Sequence, residues 1–245
     1  MKFDWIAIKN HPYFKKGLKW LRNAIIAFFA LSIVGVIIFR WLPIPFTWLM
    51  VDRMIEQKWN GKPIVLQKEW VPIEQISDHL VLAVVCSEDN KFEEHNGFDF
   101  NSIEKVIEQN KKLRKKGKPI KGASTISQQV AKNVFLYPSR SWVRKGFEVY
   151  FTILIELFWS KERIMEVYLN VIEMGDGIYG AQAASYTYFG KKAIDLKPSE
   201  AALIAAVLPN PRKWSPRYPD SYILKKKNRI LNLMNKWGGS LDLND

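Results

Sequence analysis

At 245 residues the chain has room for one membrane anchor and one compact domain of roughly 180 to 200 residues, and a second catalytic domain does not fit. Its 48% hydrophobic residues and 10 Trp exclude a disordered chain, while 25% charged residues argue against a polytopic membrane protein. The formal net charge of +13 predicts attraction to nucleic acid, acidic lipid or a phosphorylated substrate, and the lone Cys86 permits no internal disulfide and reads as a small buried hydrophobe.

Lys2, Lys9, Lys15, Lys16, Lys19 and Arg22, against the single acid Asp4, precede Ala24–Phe39, an uncharged aliphatic and aromatic run continued past Arg40 by Trp41, Leu42 and Ile44. This predicts one transmembrane helix of about 20 residues. It is placed at 23–44, with Arg40 reaching the interface and Trp41 and Trp48 sitting in it. No small-residue cleavage site follows, so a retained anchor is expected in place of a removed signal peptide. The basic residues hold 1–22 in the cytoplasm and export residues 45–245. Export counts against DNA or RNA as partner and leaves anionic membrane lipid or a lipid-borne phosphate.

Residues 45–245 show no repeat and no long Pro- or Ser-rich linker, and read as one mainly helical unit. Ile64–Leu66 is the best strand signal. Ser77 is expected to cap a helix that carries Leu80, Val81, Val84 and Val85 on one side and ends near Glu88. Helices follow over Phe100–Lys112 and from Ser124 toward Val134. Between them Lys111–Lys121 packs seven basic residues with Gly117 and Pro119, a solvated loop that also suits a basic lid near an anionic substrate or bilayer surface. Val149–Trp159 is apolar but too short for a membrane span and contains Glu156, which predicts a buried core helix. Ser160 caps Lys161–Asn170, and Gly175, Gly177 and Gly180 mark a turn region before the helix Ala181–Tyr188. Ser199 caps Glu200–Leu208, stopped by Pro209 and Pro211, and an amphipathic helix using Ile223, Leu224, Ile230, Leu231 and Met234 closes the chain.

Three polar clusters interrupt this pattern. In Glu88–Phe100, EDNKFEEHNGFDF, adjacent carboxylates such as Glu88 and Asp89 repel, which is one way to place a general base in a cleft. A solvated turn at a helix end accounts for the same residues, and His95 fits either a structural or a metal-ligating role. In Gly122–Asn133, GASTISQQVAKN, Ser124, Gln128 and Lys132 recur four apart and share one helix face. Hydroxyl, amide and ammonium suit a sugar or pyrophosphate, or an exposed face with no ligand. In Arg140–Glu148, RSWVRKGFE, Arg144 and Glu148 form an i, i+4 pair, or Arg140, Arg144 and Lys145 cradle a diphosphate beside a carboxylate.

The ordered series EDNKFEEHNGFD, GASTISQQVAKN, RKGFE, KERIMEVYLN and GIYGAQAASYTYFGK strongly resembles the five motifs of the peptidoglycan glycosyltransferase family, glycosyltransferase family 51, from about Ile73 to Pro211. Size, single anchor and the ending soon after ALIAAVLPNP resemble its monofunctional biosynthetic members, not bifunctional penicillin-binding proteins. Ala123 stands where the family usually has a second Gly. The resemblance implies a mainly α, lysozyme-like fold with a large lobe and a membrane-proximal jaw. It implies lipid II and the growing glycan strand as substrates. On this chain Glu88 becomes the general base and Glu148 the second catalytic acid. Lys132, Arg140, Arg144 and Lys145 become the diphosphate cradle, and Asp89, Ser124, Gln128, Gln129 and Asn133 the remaining lining. No cofactor is required. Mg²⁺ or another divalent cation assists the diphosphate in some members, and no metal-ligand motif here demands one. Glu156 is expected to pair with a base in the core, and Glu166, Tyr168 and Asn170 to serve packing.

The expected location is the bacterial inner membrane, with the catalytic domain on the periplasmic face and division or elongation complex proteins as further partners. Two rivals stand beside this expectation. A peptidoglycan-cleaving lysozyme or lytic transglycosylase shares the fold and a catalytic Glu but has little use for the cations, and a non-enzymatic scaffold has none for the full motif set.

Overall fold

Uninterrupted apolar side chains after a basic start form the first helix, α1 (Pro12–Ile38), in the computed structural model, which describes residues 12–115, 117, 122–139 and 141–238. The chain divides into two compact units, Met1–Leu42 and Pro43–Asp245. The 27 residues of α1 span about 40 Å at 1.5 Å each. Among the described residues it is the one helix long and apolar enough to cross a bilayer. The expected crossing at 23–44 runs past its end: Phe39–Leu42 form a turn, in which Arg40 lies 5.2 Å from the Trp41 ring centroid. Pro43 and Pro45 have no amide proton to carry a helix onward.

The second unit is built mainly of helices, with one small sheet. Thr47 caps α2 (Trp48–Trp59) through the Met50 amide. Strand β1 is Gln67–Lys68, one residue beyond the expected Ile64–Leu66, because pairing starts where the Gln67 amide donates to the Gly177 carbonyl at 2.8 Å. The other two strands, β2 (Glu173–Gly175) and β3 (Ile178–Tyr179), lie in the region read only as a glycine-rich turn. The sheet order is β1-β3-β2, with β3 parallel to β1 and antiparallel to β2. Asp176 and Gly177 make the tight connection, and Gly177 has φ +74° with Val65 O only 2.5 Å from where a Cβ would stand. A hairpin of this type favours glycine at such a position.

Two helix clusters form the core. In the first, α3 (Asp78–Glu88), capped by Ser77, buries every residue from Leu80 to Cys86 against α9 (Pro198–Val207) and α10 (Ser221–Lys236). Ala201, Ala202, Ala205 and Ala206 let α9 approach closely, and Ile223, Ile230 and Met234 close the far side. Each fully buried Ile or Leu here contributes about 1.5 to 3 kcal/mol. Helix α9 begins at Pro198, not after Ser199, since proline at the first helical position loses no hydrogen bond and Glu200 accepts from the Lys197 amide at 2.8 Å. Leu224, expected inside, is exposed, because the buried face of α10 passes through Ile223.

The second cluster joins α5 (Ile126–Phe135), α6 (Trp142–Phe158) and α7 (Lys161–Val171). Helix α5 starts two residues later than Ser124 because Thr125 takes the cap, its side chain accepting from the Gln128 amide while Gln128 answers to the Thr125 amide. Helix α6 is not a core helix on all sides. Phe151, Leu154 and Ile155 face inward, while Trp142, Val143, Ile153 and Leu157 are exposed. Helix α4 (Phe100–Lys115) takes the first five residues of the basic segment, and Lys116 and residues 118–121 lie outside the described residues. Helix α8 (Ala181–Phe189) ends on Gly190 at φ +67°.

Candidate active site

Glu88 is the last residue of α3, delivered to the surface of the core by a helix that is otherwise buried. One carboxylate oxygen accepts from Gln129 Nε2 of α5 at 3.1 Å. The Ser87 hydroxyl lies 3.4 Å from the other and 3.3 Å from the Ala205 carbonyl, one proton between two acceptors. Tyr168 of α7 places its hydroxyl 3.5 Å from the Gln129 amide oxygen. Burial, reinforced by the charges of Glu88 and Asp89, pushes the Tyr168 phenol well above its ordinary range, so it remains a donor. Glu88 is therefore held by neutral groups alone, with lone pairs to spare.

Its neighbour Asp89 has the opposite surroundings. It is 7% exposed, His95 Nε2 lies 3.0 Å from one oxygen, and the Ile126 amide donates to the other at 3.0 Å. That amide is the first of α5 and has no intrahelical acceptor. The acidic loop is tied down further by Thr125, whose hydroxyl donates to the Gly97 carbonyl at 2.7 Å. Glu156 anchors it from α6: Lys161 bridges Glu156 at 2.9 Å and the His95 carbonyl, and Ser127 donates to the same carboxylate. The expected pairing of Glu156 with a base is present. Asp89 is held in place beside Glu88 by His95 and the Ile126 amide and lines the same pocket.

One turn beyond Gln129, α5 presents Lys132 to a second carboxylate. Glu148 is 3% exposed and accepts from Arg144 at 2.6 Å and from Lys145. Both readings of this cluster hold at once: the i, i+4 pair exists, and three cations surround one acid. Lys132 is open to solvent, yet the protein around it disfavours its charge and holds its pKa below the usual lysine range, with Glu148 opposing that effect and Arg144 adding to it. A cavity of about 680 Å³ opens here, with Lys132, Asn133, Ser139 and Arg144 on one side and Arg53 and Arg212 on the other. Arg53 Nε, Ser139 Oγ and Arg144 Nε are buried with no hydrogen-bond partner among the described residues. Buried donors of this kind point to a missing acceptor.

The far wall carries acids as well. Arg212 spans Glu56 at 3.2 Å and Asp176 at 3.4 Å, and Arg53 pairs with Glu56 at 2.7 Å. Glu173 lies 3.6 Å from Arg53, and burial raises its pKa against that arginine.

The structure thus brings together Glu88, Gln129, Lys132, Asn133, Arg144, Lys145 and Glu148. Arg140 lies outside the described residues. Ser124 stands before the helix, so it does not share a face with Lys132, and it lines a smaller pocket with Glu88 and Asp99. Gln128 is turned inward, its amide oxygen accepting from the Thr125 amide at 3.1 Å, which removes it from the lining. Arg53, Ser139 and Arg212 were not legible as lining residues, since they come from segments distant in sequence and carry no spacing signal.

A family model described as Transglycosylase matches residues 58–235. A Bacteroides thetaiotaomicron protein named biosynthetic peptidoglycan transglycosylase is 56% identical over 221 residues, covering 90% of this chain and 88% of that protein. One of the same name from Bdellovibrio bacteriovorus is 52% identical over 214 residues, covering 87% and 84%. Another, from Chromohalobacter salexigens, is 45% identical over 240 residues, covering 98% and 97%.

Proposed function

This chain belongs to the transglycosylase family, and on that premise we propose that it polymerises peptidoglycan glycan strands from lipid II at the outer face of a bacterial inner membrane. The observation that carries the reading is the geometry of α5, which gives Gln129 to Glu88 and, three residues on, Lys132 to the cluster around Glu148. Gln129 and Lys132 stand three residues apart on α5, about 4.5 Å along its axis, so one short stretch of helix serves both the proton acceptor and the diphosphate cradle.

In this mechanism Glu88 takes the proton from the 4-hydroxyl of the acceptor lipid II as that oxygen attacks the anomeric carbon of the growing strand. The bond from that carbon to the pyrophosphate oxygen breaks on the opposite face. The configuration inverts and no covalent enzyme intermediate forms. Undecaprenyl pyrophosphate leaves with the bonding electrons, its charge met by Lys132, Arg144 and Lys145, so no acid is needed to protonate it. Glu148 keeps the two cations of its own helix in register. Mg²⁺ or another divalent cation, held mainly by the diphosphate oxygens, would add positive charge to the cradle, and every step above is carried by the chain's own residues. The strand-cleaving alternative would use an acid to protonate a sugar oxygen and gains nothing from these cations.

Support for a membrane location comes from α1 and, separately, from the exposed apolar face of α6. The two halves of the site separate experimentally. Glu88→Gln lowers polymerisation by roughly 10²- to 10⁴-fold with the affinity for a non-reactive lipid II analogue little changed. Lys132→Ala and Arg144→Ala lower both. Near-normal polymerisation by Glu88→Gln, or wild-type analogue binding by both cation variants, would sink the assignment.

A further inference from the structure

Helix α2 turns one face inward. Met50, Arg53 and Gln57 recur along it at i, i+3 and i+7, and Met50 is fully buried while the Gln57 side chain accepts from the Val65 amide at 2.8 Å. The helix packs on α5, which carries Lys132. Arg53 therefore sets a guanidinium into the protein, its side chain only 25% exposed, where a charge is costly unless something meets it. It is met in part. Arg53 Nη1 donates to Glu56 at 2.7 Å, but the same carboxylate also accepts from both Nη groups of Arg212, each at 3.2 Å. One acid thus serves two arginines. Arg212 completes its set with Asp176, 3.4 Å from its Nε. Arg53 does not complete its own: Glu173 lies 3.6 Å from Arg53 Nε, beyond hydrogen-bond length, and no other described residue accepts from that nitrogen.

Arg144 repeats this arrangement on the other wall of the cavity. Its Nη1 is held by Glu148, one turn along its own helix, at 2.6 Å, just as Glu56 follows Arg53 by three residues. Its Nε is likewise buried and unclaimed among the described residues, and the buried Ser139 hydroxyl is a third such group. All three residues line the one cavity of about 680 Å³, a volume in the range of small-ligand sites. Among the described residues that line it, Glu173 is the one acid, set against Lys132, Arg53, Arg144 and Arg212. Three unclaimed donors around one space, two of them guanidinium nitrogens, call for an acceptor with several oxygens and a negative charge. A phosphate group meets that description and a sugar hydroxyl does not.

We propose that Arg53 is a substrate-contacting residue: its guanidinium and that of Arg144 hold the lipid-linked diphosphate from opposite walls of the cleft, and Ser139 donates to the same anion. The proposal rests on this cleft being the polymerising site. Glu56, itself held by Arg212, fixes the Arg53 guanidinium at the wall.

The test is titration of undecaprenyl pyrophosphate against the full-length protein in detergent and against Arg53→Gln, Arg53→Lys, Ser139→Ala and Arg144→Ala, each below its own thermal transition. Dihexanoyl phosphatidylglycerol, a soluble lipid headgroup, is titrated in parallel. Arg53→Gln is expected to weaken the pyrophosphate about ten- to a hundredfold, and Ser139→Ala, which leaves Glu56 untouched, about two- to tenfold. Arg53→Lys keeps the charge but not the planar fork and recovers only part of the loss. Since one anion joins the two walls, Arg53→Gln and Arg144→Ala combined lose less than the product of their separate fold-changes, and independent losses would overturn the bridge. Where Arg53→Gln folds poorly, Arg53→Lys and Ser139→Ala decide, and unchanged pyrophosphate affinity in both overturns the proposal. A purely structural arginine would shift the thermal transition alone, so wild-type affinity in a destabilised Arg53→Gln has the same force. Weaker phosphatidylglycerol binding with pyrophosphate affinity kept would assign a headgroup to this wall and overturn it too. Wild-type affinity in both Arg53→Gln and Arg144→Ala overturns the reading of the cleft itself, whereas a normal Arg53→Gln beside a weakened Arg144→Ala overturns this inference alone.

Discussion

Lys132 stands where its charge is disfavoured by the surrounding protein and, in the proposed mechanism, still has to meet a diphosphate. Its pKa lies below the ordinary lysine range, so as pH rises it loses its proton before an exposed lysine would. Only the protonated form attracts the anion. Affinity for a pyrophosphate-bearing analogue is therefore full below that pKa and falls as pH passes through it, and Lys132→Arg, which stays charged, extends binding to higher pH. Titration of the analogue across pH checks this, and identical alkaline limbs for the two proteins would remove Lys132 from the cradle. At this scale the sequence was legible in part. Glu88, Lys132, Arg144 and Glu148 stand out by type and spacing, and the structure gathers them. The bond that fixes Asp89 was not legible, because the Ile126 amide that donates to it is 37 residues away and backbone donors leave no mark in a sequence. Gln128 misleads for a related reason: its i, i+4 spacing with Lys132 is real, but the capping box turns its side chain inward.

Caps decide where the elements begin, and here one residue matters. Thr125 accepts from the Gln128 amide at 3.2 Å and donates to the Gly97 carbonyl at 2.7 Å, fastening the start of α5 to the acidic loop. Thr125→Ala is expected to cost about 1 to 2 kcal/mol, read as a lowered urea midpoint at unchanged slope. Ser124→Ala, outside the cap, should leave that midpoint in place, and equal losses from both would remove the distinction. Hydroxyl side chains at 124 and 125 are equally good caps by propensity, so only the acceptor at Gly97 separates them. Apart from α2 (Trp48–Trp59), which went unread, periodicity located the helices longer than two turns. It missed β2 and β3, whose residues read as glycine-rich turn, although Asp176-Gly177 is itself a hairpin signal.

On the scale of the molecule, charge and hydropathy divide the chain as the two compact units do, with the basic excess at the start and one apolar helix after it. The orientation that follows is testable without any activity assay. A C-terminal alkaline phosphatase fusion should be active in intact cells, and a fusion to a reporter that matures only in the cytoplasm should stay dark. The reverse pair of results would remove both the exported site and the lipid-linked substrate. Membrane-crossing length and mainly helical content were legible because each depends on average composition. The cavity was not, since Arg53, Ser139 and Arg212 meet only once α2, the segment after α5 and the segment after α9 have packed.

Glu148 already holds Arg144 and Lys145 before any ligand arrives. The cleft is therefore an exchanger in its carboxylate form, not a bare positive hole. Chloride or a single phosphate gains little, for it offers these cations scarcely more than the resident counter-ion does. A diphosphate carries more charge and spans several cations at once, so it can draw Arg144 and Lys145 away while Arg144 Nε, unclaimed among the described residues, takes a further oxygen. In the proposed mechanism the carboxylate would resume its place when the product leaves and help to expel it. There the same acid that dilutes the site's charge would keep it from being clogged by ordinary salts and stop the spent carrier from lingering.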